Sequence, residues 1–275
     1  MRPLLLKGHE RPLTRVKFNR DGDLLFTAAM DKAPTLWRAS SGERLGTYHG
    51  HNGAVQDLDI SHNTERIITG SGDNSAILWN AETGQPIFKW EFKSPARAVA
   101  FSPGDSHVAI ATANLMGQQS NVYVYRHDRT TEEQETEPVI VLEGHTATIV
   151  RVLWYPTAEY ILTAARDLTL RKWEVSTGKE ADLVEAHTSA IQDCQWGPDG
   201  MTMITSSKDQ SAKLWSFHDF QLLKNVLHGS FPVNSCRNLA HFLAHLAWWG
   251  VRRQPQVNDH PPDRQGKFRS QRFSH

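Results

Sequence analysis

Residues 50–79 read GHNGAVQDLDISHNTERIITGSGDNSAILW, and this stretch decides the fold. It holds His51, Thr69, Asp73 and Trp79: the Asp lies 22 residues after the His, the Thr four before the Asp, the Trp six after it. The same four residue types stand at the same offsets in three other places: His9, Thr27, Asp31 and Trp37; His145, Thr163, Asp167 and Trp173; His187, Thr205, Asp209 and Trp215. The His follows Gly8, Gly50 and Gly144 in three of them and Ala186 in the fourth. The first two sets and the last two are each 42 residues apart. From His51 to His145 the gap is 94, two periods plus ten, so a degenerate unit with an insertion lies between them. The acidic run from Asp128 to Pro138 is the candidate insertion. A period of about 40–45 residues with a recurring His and a terminal Trp is the pattern of four-stranded β-propeller blades.

The connecting chemistry agrees. Each unit carries an alternating stretch after its His slot: Val16-Lys-Phe18, Leu58-Asp-Ile60, Val99-Ala-Phe101, Val152-Leu-Trp154 and Cys194-Gln-Trp196. A polar turn such as Asn19-Arg-Asp-Gly22 or Gly197-Pro-Asp-Gly200 follows, then an apolar run, then a strand ending at the Trp. No helical period competes. The expected class is all-β, with units at about 1–46, 47–89, 90–139, 140–182 and 183–225 and a partial one at 226–236. An irregular basic tail occupies 237–275. The third unit is irregular: its His slot falls near Lys93 and Ser94, Met116 stands where the Asp belongs and Tyr125 replaces the Trp. That blade is expected to rely on apolar packing alone.

Composition narrows the function. The chain has 275 residues, 30 Lys+Arg against 30 Asp+Glu, and two cysteines, Cys194 and Cys236. Zero net charge removes the basic excess expected of a nucleic-acid binder. Two cysteines build neither a disulfide framework nor a thiolate zinc site, which fits a reducing compartment. The longest apolar stretch, Leu239 to Val251, is too short for a membrane span of about 20 residues. A cytoplasmic protein is the expectation. Charge is unevenly spread: residues 237–275 hold seven basic and two acidic groups, a net +5, so residues 1–236 carry −5.

The four recurrent residues read as a buried hydrogen-bonded set. An Asp in a tight turn needs donors, which His and turn N–H groups supply. The Thr hydroxyl is expected to accept from His and to receive the Trp indole N–H. Thr–His–Asp also resembles a catalytic triad, but an active site is normally built once, and this set occurs four times. His241 and His245, spaced i, i+4, have no third ligand placed by sequence. Gly70-Ser-Gly-Asp73 lacks the further Gly and the helix of a nucleotide loop. No catalytic residue, metal site or cofactor is expected, and the 128–138 insertion reads as a solvated loop.

Several segments carry a resemblance. Met1-Arg-Pro-Leu-Leu-Leu-Lys-Gly-His-Glu-Arg-Pro-Leu-Thr14, Asp21-Gly-Asp-Leu-Leu-Phe26, Asn74 within Gly72-Asp-Asn-Ser75, and Gly42-Glu-Arg-Leu-Gly-Thr47 followed by Gly50-His-Asn-Gly53 resemble the i-subunit family of eukaryotic translation initiation factor 3. Asn114-Leu-Met-Gly117 is similar to that family's irregular third blade. The resemblance covers roughly residues 1–236 and is most specific over the first 80. The fourth unit, with its complete set, is more regular than the family. The resemblance implies a seven-bladed WD-repeat propeller that performs no chemistry. It implies a scaffold subunit of a cytoplasmic complex, holding the b subunit through a helical tail and the g subunit, and acting on the small ribosomal subunit through the complex. Direct sequence-specific nucleic-acid binding and membrane association are not implied. In the family the later blades face the b-subunit tail, which corresponds here to about 183–236; no single partner-binding residue is named. A related propeller, the serine-threonine kinase receptor-associated protein, makes a signalling adaptor the rival reading, and a propeller enzyme the third.

About five complete units fit before residue 226, and Pro232-Val-Asn-Ser235 begins a sixth. Residues 237–262 then break the pattern, and the expectation is a shifted reading frame or retained intron that leaves most of blade six and all of blade seven out. The alternative is a genuine helical tail with Phe242, His245, Leu246 and Trp249 on one stripe. Propeller closure would pair Leu4–Lys7 within the last blade. Without it, the expected product is an open arc of lower stability with a tendency to associate.

Overall fold

Alternating apolar and polar residues, punctuated by Gly and Asx turns, give each unit four short antiparallel strands. A computed structural model of the chain describes residues 4–115, 117–229 and 231–236 and the backbone of 237–238 and 246–248. Blade 1 consists of β1 (Leu13–Phe18), β2 (Leu24–Ala29), β3 (Thr35–Arg38) and β4 (Arg44–Thr47). Blade 2 has β5 (Val55–Ile60), β6 (Arg66–Ser71), β7 (Ser75–Asn80) and β8 (Pro86–Glu91). Blade 3 has β9 (Ala96–Phe101), β10 (His107–Thr112), β11 (Val122–Arg126) and β12 (Ile140–Leu142). Blade 4 has β13 (Ile149–Trp154), β14 (Tyr160–Ala165), β15 (Thr169–Glu174) and β16 (Glu180–Glu185). Blade 5 has β17 (Ile191–Trp196), β18 (Thr202–Ser207), β19 (Ser211–Ser216) and β20 (Leu222–Leu227). These five sheets form the blades of an all-β propeller. Among the described residues the one helical feature is a 3-10 turn at Pro103–Asp105.

The first strand of each blade is innermost: β1, β5, β9, β13 and β17 pack successively around the axis. Every one of them carries the same one-residue bulge near its start, as at Val55/Asp57 and Ile191/Asp193. Apolar side chains from facing sheets meet between blades. One core joins blades 1 and 2 through Phe26, Tyr48, Leu58 and Trp79; another joins 2 and 3 through Leu78, Trp90, Val99 and Tyr125. Blades 3 and 4 share Val124, Ile149 and Trp154, and blades 4 and 5 share Leu162, Ile191, Trp215 and Phe217. Emptying the site of a Trp buried as fully as Trp79 would cost about 3–5 kcal/mol, so these cores hold the blades side by side.

Leu4–Lys7 pairs with no strand among the described residues, and Leu4 and Leu5 are exposed. One expectation changes here. The helical alternative fails over Leu246–Trp248: β21 (Cys236–Asn238) and β22 (Leu246–Trp248) form an antiparallel pair, and β21 packs against β17 and β18. Phe242, Trp249 and the His241–His245 pair lie outside the described residues.

Candidate functional site

In blade 2 the strand ends bring His51, Thr69, Asp73 and Trp79 together. The His51 Nδ1 lies 3.0 Å from the Asp73 carboxylate, its Nε2 lies 2.7 Å from the Thr69 hydroxyl, and the Trp79 indole donates to that hydroxyl at 2.8 Å. Asp73 also accepts the Asn52 N–H at 2.7 Å, the Ser75 hydroxyl at 2.6 Å and the Ser75 N–H at 3.1 Å. The geometry repeats in blade 1 (His9, Thr27, Asp31, Trp37), blade 4 (His145, Thr163, Asp167, Trp173) and blade 5 (His187, Thr205, Asp209, Trp215). All sixteen residues singled out in the sequence are thus gathered into four sets of four.

The direction of one bond differs from the expectation. A carboxylate only accepts, so the Asp fixes the proton on Nδ1. Burial lowers the pKa of His51 and His187, and Asp73 and Asp209 only partly offset it. A neutral ring protonated on Nδ1 has an accepting Nε2. In blades 2 and 5 the Thr hydroxyl therefore donates to His and receives the indole N–H, rather than accepting from both. Each hydroxyl then has one donor and one acceptor role filled. The carboxylates answer to opposing causes. Burial alone would raise Asp73, Asp167 and Asp209, but hydrogen bonds from the neighbouring Ser or Thr, from His and from backbone N–H groups prevail. Asp167 and Asp209 fall to about 2, and Asp73 also lies well below the usual carboxylate range.

The turn that presents each Asp is strained in the same way. The residue after it is left-handed in every case: Lys32, Asn74, Leu168 and Gln210 have φ of 72°, 67°, 76° and 69°. The Asp side chain holds the turn by accepting the N–H two residues on, as Asp209 does from Ser211 at 3.0 Å.

Blade 3 solves the same problem differently. Ile110, fully buried and paired with Val99, occupies the Thr slot, and Tyr125 fills the Trp slot. Met116 lies outside the described residues. Apolar packing alone was expected, yet a polar set stands near the same strand ends. The Ser120 hydroxyl donates to the Thr112 carbonyl at 2.5 Å and accepts the Ile149 N–H of blade 4 at 2.9 Å. Asn121 donates to Glu143 at 3.0 Å, and Asn114 reaches the Thr146 carbonyl at 2.9 Å. The reason is that two extended strands still leave backbone groups to satisfy where the His–Asp set is lacking. The insertion is exposed along most of its length, as a solvated loop is, and carries two anchors: Gln134 is buried, and the Glu135 carbonyl accepts the Trp90 indole N–H at 3.0 Å.

A feature absent from the sequence reading lines the axis. Arg15, Asp57, Arg151 and Asp193 stand at the same position of four innermost strands. Arg151 Nε lies 2.7 Å from Asp193 and its Nη1 3.6 Å from Asp57; Arg15 lies 3.2 Å from Asp57 and 4.0 Å from Asp193. Each cation faces two carboxylates, in a cycle with no net charge. The Arg15–Asp57 contact is an ion pair by distance without hydrogen-bond alignment. Burial alone would raise Asp193, but Arg151, Arg15 and the Ser235 hydroxyl at 2.6 Å hold it low. Asp57 accepts the Val99 N–H of the next blade at 3.2 Å. The signal was available: 15 and 57, 151 and 193, and 193 and 235 are each separated by the 42-residue period.

Among the described residues, no group of three His, Cys, Asp or Glu side chains is placed to hold a metal ion. Burial pushes the Cys194 and Cys236 thiols up, so both stay protonated. No described helix is long and apolar enough to cross a membrane.

Comparison with known proteins adds a separate finding. The family model described as EIF3I matches residues 1–275. The eukaryotic translation initiation factor 3 subunit I of Scheffersomyces stipitis is 41% identical over 186 residues, covering 65% of this chain and 53% of that protein. The protein of that name from Emericella nidulans is 41% identical over 188 residues, 67% of this chain and 55% of its own length. The one from Nematostella vectensis is 37% identical over 180 residues, 66% and 55% respectively. The chain spans about half the length of the curated relatives it matches.

Proposed function

This chain belongs to the EIF3I family, and from that premise we propose that it is a non-catalytic scaffold subunit of translation initiation factor 3. In this reading it holds other subunits of the complex, the b and g subunits among them, and supports initiation-complex assembly on the small ribosomal subunit in the cytoplasm. The observation that carries the reading is the family match over residues 1–275. The four His–Thr–Asp–Trp sets act here as structural pins. Their donors and acceptors are consumed within each blade, so none is left to meet a substrate, and a machine repeated in four blades offers four equal sites rather than one. A chain with 30 basic and 30 acidic residues has no electrostatic excess for gripping RNA directly, which suits contact with the ribosome through the complex. No cofactor and no membrane enter the reading.

The test is sedimentation of the tagged chain from a cell extract through a density gradient, with mass spectrometry of the co-migrating proteins. Migration with the small ribosomal subunit together with the b and g subunits is expected. Recovery with a receptor kinase and no initiation-factor subunit would replace this reading with the adaptor.

A further inference from the structure

Apolar cores join successive blades but not the two end blades. Among the described residues one core joins blades 1 and 2, one joins 2 and 3, one joins 3 and 4 and one joins 4 and 5; none joins 5 to 1. The inner strand β1 shows the consequence. Leu58 and Ile60 in blade 2, and Val152 and Trp154 in blade 4, occupy the positions that Val16 and Phe18 hold in blade 1. Those four are at most 8% exposed, whereas Val16 is 39% and Phe18 51% exposed, because no described blade packs on that face of β1.

What does span from blade 1 to blade 5 lies on the axis. The cycle of Arg15, Asp57, Arg151 and Asp193 holds two kinds of contact. Arg15–Asp57 at 3.2 Å and Arg151–Asp193 at 2.7 Å link neighbouring blades that a core already joins. Arg15–Asp193 at 4.0 Å and Arg151–Asp57 at 3.6 Å cross the axis, the first joining blade 1 to blade 5 and the second blade 4 to blade 2. Among the described residues no apolar core backs either crossing.

The two arginines are not held equally. Arg151 donates hydrogen bonds to Asp193 and to the Val150 carbonyl. The Arg15 Nε is buried without a hydrogen bond, and so is the Asp57 Oδ1 that faces it. Burial and the neighbouring Arg151 cation both weigh against the Arg15 charge, and Asp57 and Asp193 only partly offset them. For Arg151 the balance is reversed: burial alone would lower its pKa, but Asp193 and Asp57 raise it. Arg15 is therefore held by Coulomb attraction without a directed bond, and it is the weaker member of the cycle.

We propose that this axial cycle is an ionic latch between the two end blades, and that it opens at Arg15. Closed, it draws blades 1 and 5 to the axis. Open, it lets them part, while the apolar cores keep each pair of successive blades together. Opening returns the Arg15 guanidinium to water, which offsets the lost attraction to Asp57 and Asp193. The latch follows from the axial geometry and goes beyond the translational reading.

The test measures the distance between the end blades by double electron–electron resonance of two spin labels, on Ser41→Cys in blade 1 and Asn225→Cys in blade 5. Both positions are exposed, and the native Cys194 and Cys236 are buried away from the labelling reagent. A control pair, Ser41→Cys with Thr83→Cys, spans blades 1 and 2, which share a core. Arg15→Gln removes the charge, and Arg15→Lys keeps it. One narrow distribution between blades 1 and 5 is expected with Arg15 or Arg15→Lys. Arg15→Gln should add a second population several ångströms longer, with the control pair unchanged. Identical distributions with and without Arg15→Gln would overturn the proposal. So would a control pair that broadens equally, since the whole protein would then be loosening. If circular dichroism shows that Arg15→Gln does not fold, the labelled chain with Arg15 intact decides by the same measurement at about 0.1 M and about 1 M salt, where the screening length falls from about 10 Å to about 3 Å. A longer population at the higher salt is expected there, and its absence would overturn the latch.

Discussion

Blades 2 and 3 have the same four antiparallel strands, the same bulge in the innermost strand and equally buried cores, yet they share almost none of their polar anchors. Blade 2 ties its strand ends with His51, Thr69, Asp73 and Trp79; blade 3 puts Ile110 and Tyr125 in two of those slots and bonds Ser120 to Thr112 and Ile149. The strand order is thus dictated by alternation, turns and interblade packing, which both blades possess. The His–Asp set adds pinning to a fold already specified. What separates the two blades is the chemistry of the pin, titratable in one and hydroxyl-based in the other.

Acid should exploit that difference most strongly, because it attacks the pins of blades 2, 4 and 5 together. The folded pKa values of His51 and His187 lie below the ordinary 6.5, so the unfolded chain takes protons first as pH falls below 6.5. Stability is complete above that pH and declines beneath it. Asp73, Asp167 and Asp209 lie below the ordinary 3.8, with the last two at about 2; their contribution is present above 3.8 and is lost as pH falls through about 2. Calorimetry from pH 8 downward should therefore show a level melting temperature above pH 7 and a fall that starts near 6.5 and steepens below 4. A melting temperature unchanged between pH 7 and 5 would remove His from the pin.

The next largest effect belongs to a single pin. Asp167→Ala strips the acceptor from His145 at 2.7 Å, from the Thr146 N–H at 3.0 Å and from the Thr169 hydroxyl at 2.7 Å. Leaving buried donors unmet should cost about 3 kcal/mol in urea unfolding, with no change in the slope. A loss under about 0.5 kcal/mol, the range of a neutral surface change, would mean that the set adds nothing to packing.

What could be read beforehand followed the same division. The sixteen pin residues were legible because four types recur at fixed offsets, and any one blade predicts the others. The Arg15, Asp57, Arg151 and Asp193 cycle was harder to see, because the residue type changes from blade to blade, with Ala98 at the matching position of blade 3, and only the 42-residue spacing is shared. The direction of the Thr–His bond was hidden because it depends on burial, which decides the charge of the ring. Ser120 and Thr112 escaped notice since small hydroxyl residues carry no signature until their strands are placed.

Blade 3 offers the counterpart to Asp167→Ala. Ser120→Ala removes a hydroxyl that serves the Thr112 carbonyl and the Ile149 N–H, so two buried backbone groups lose one partner. Both groups are neutral, and the cost should be about 1–2 kcal/mol, smaller than that of the charged pin. Unlike the wild-type His sets, this loss should be the same at pH 8 and pH 5. A loss equal to that of Asp167→Ala would erase the distinction between the blades.

The smallest effect sharpens the comparison from the opposite side, by a gain. Lys32, Asn74, Leu168 and Gln210 adopt left-handed backbone so that the preceding Asp can face its His, a conformation costing a non-glycine residue about 1–2 kcal/mol. Leu168 is the least suited of the four, since it lacks the short polar side chain that eases the turn at Asn74. Leu168→Gly relieves the strain but loosens the unfolded chain, and the two oppose each other. The N–H groups of Ala186 and His187 bond to the Leu168 carbonyl, which glycine keeps. The net should be a stabilisation of about 0.5 kcal/mol, read as a raised urea midpoint. A lowered midpoint would show that the Leu168 side chain contributes more through its contacts than its backbone costs, and that the pin is held in place by packing around the turn rather than against it.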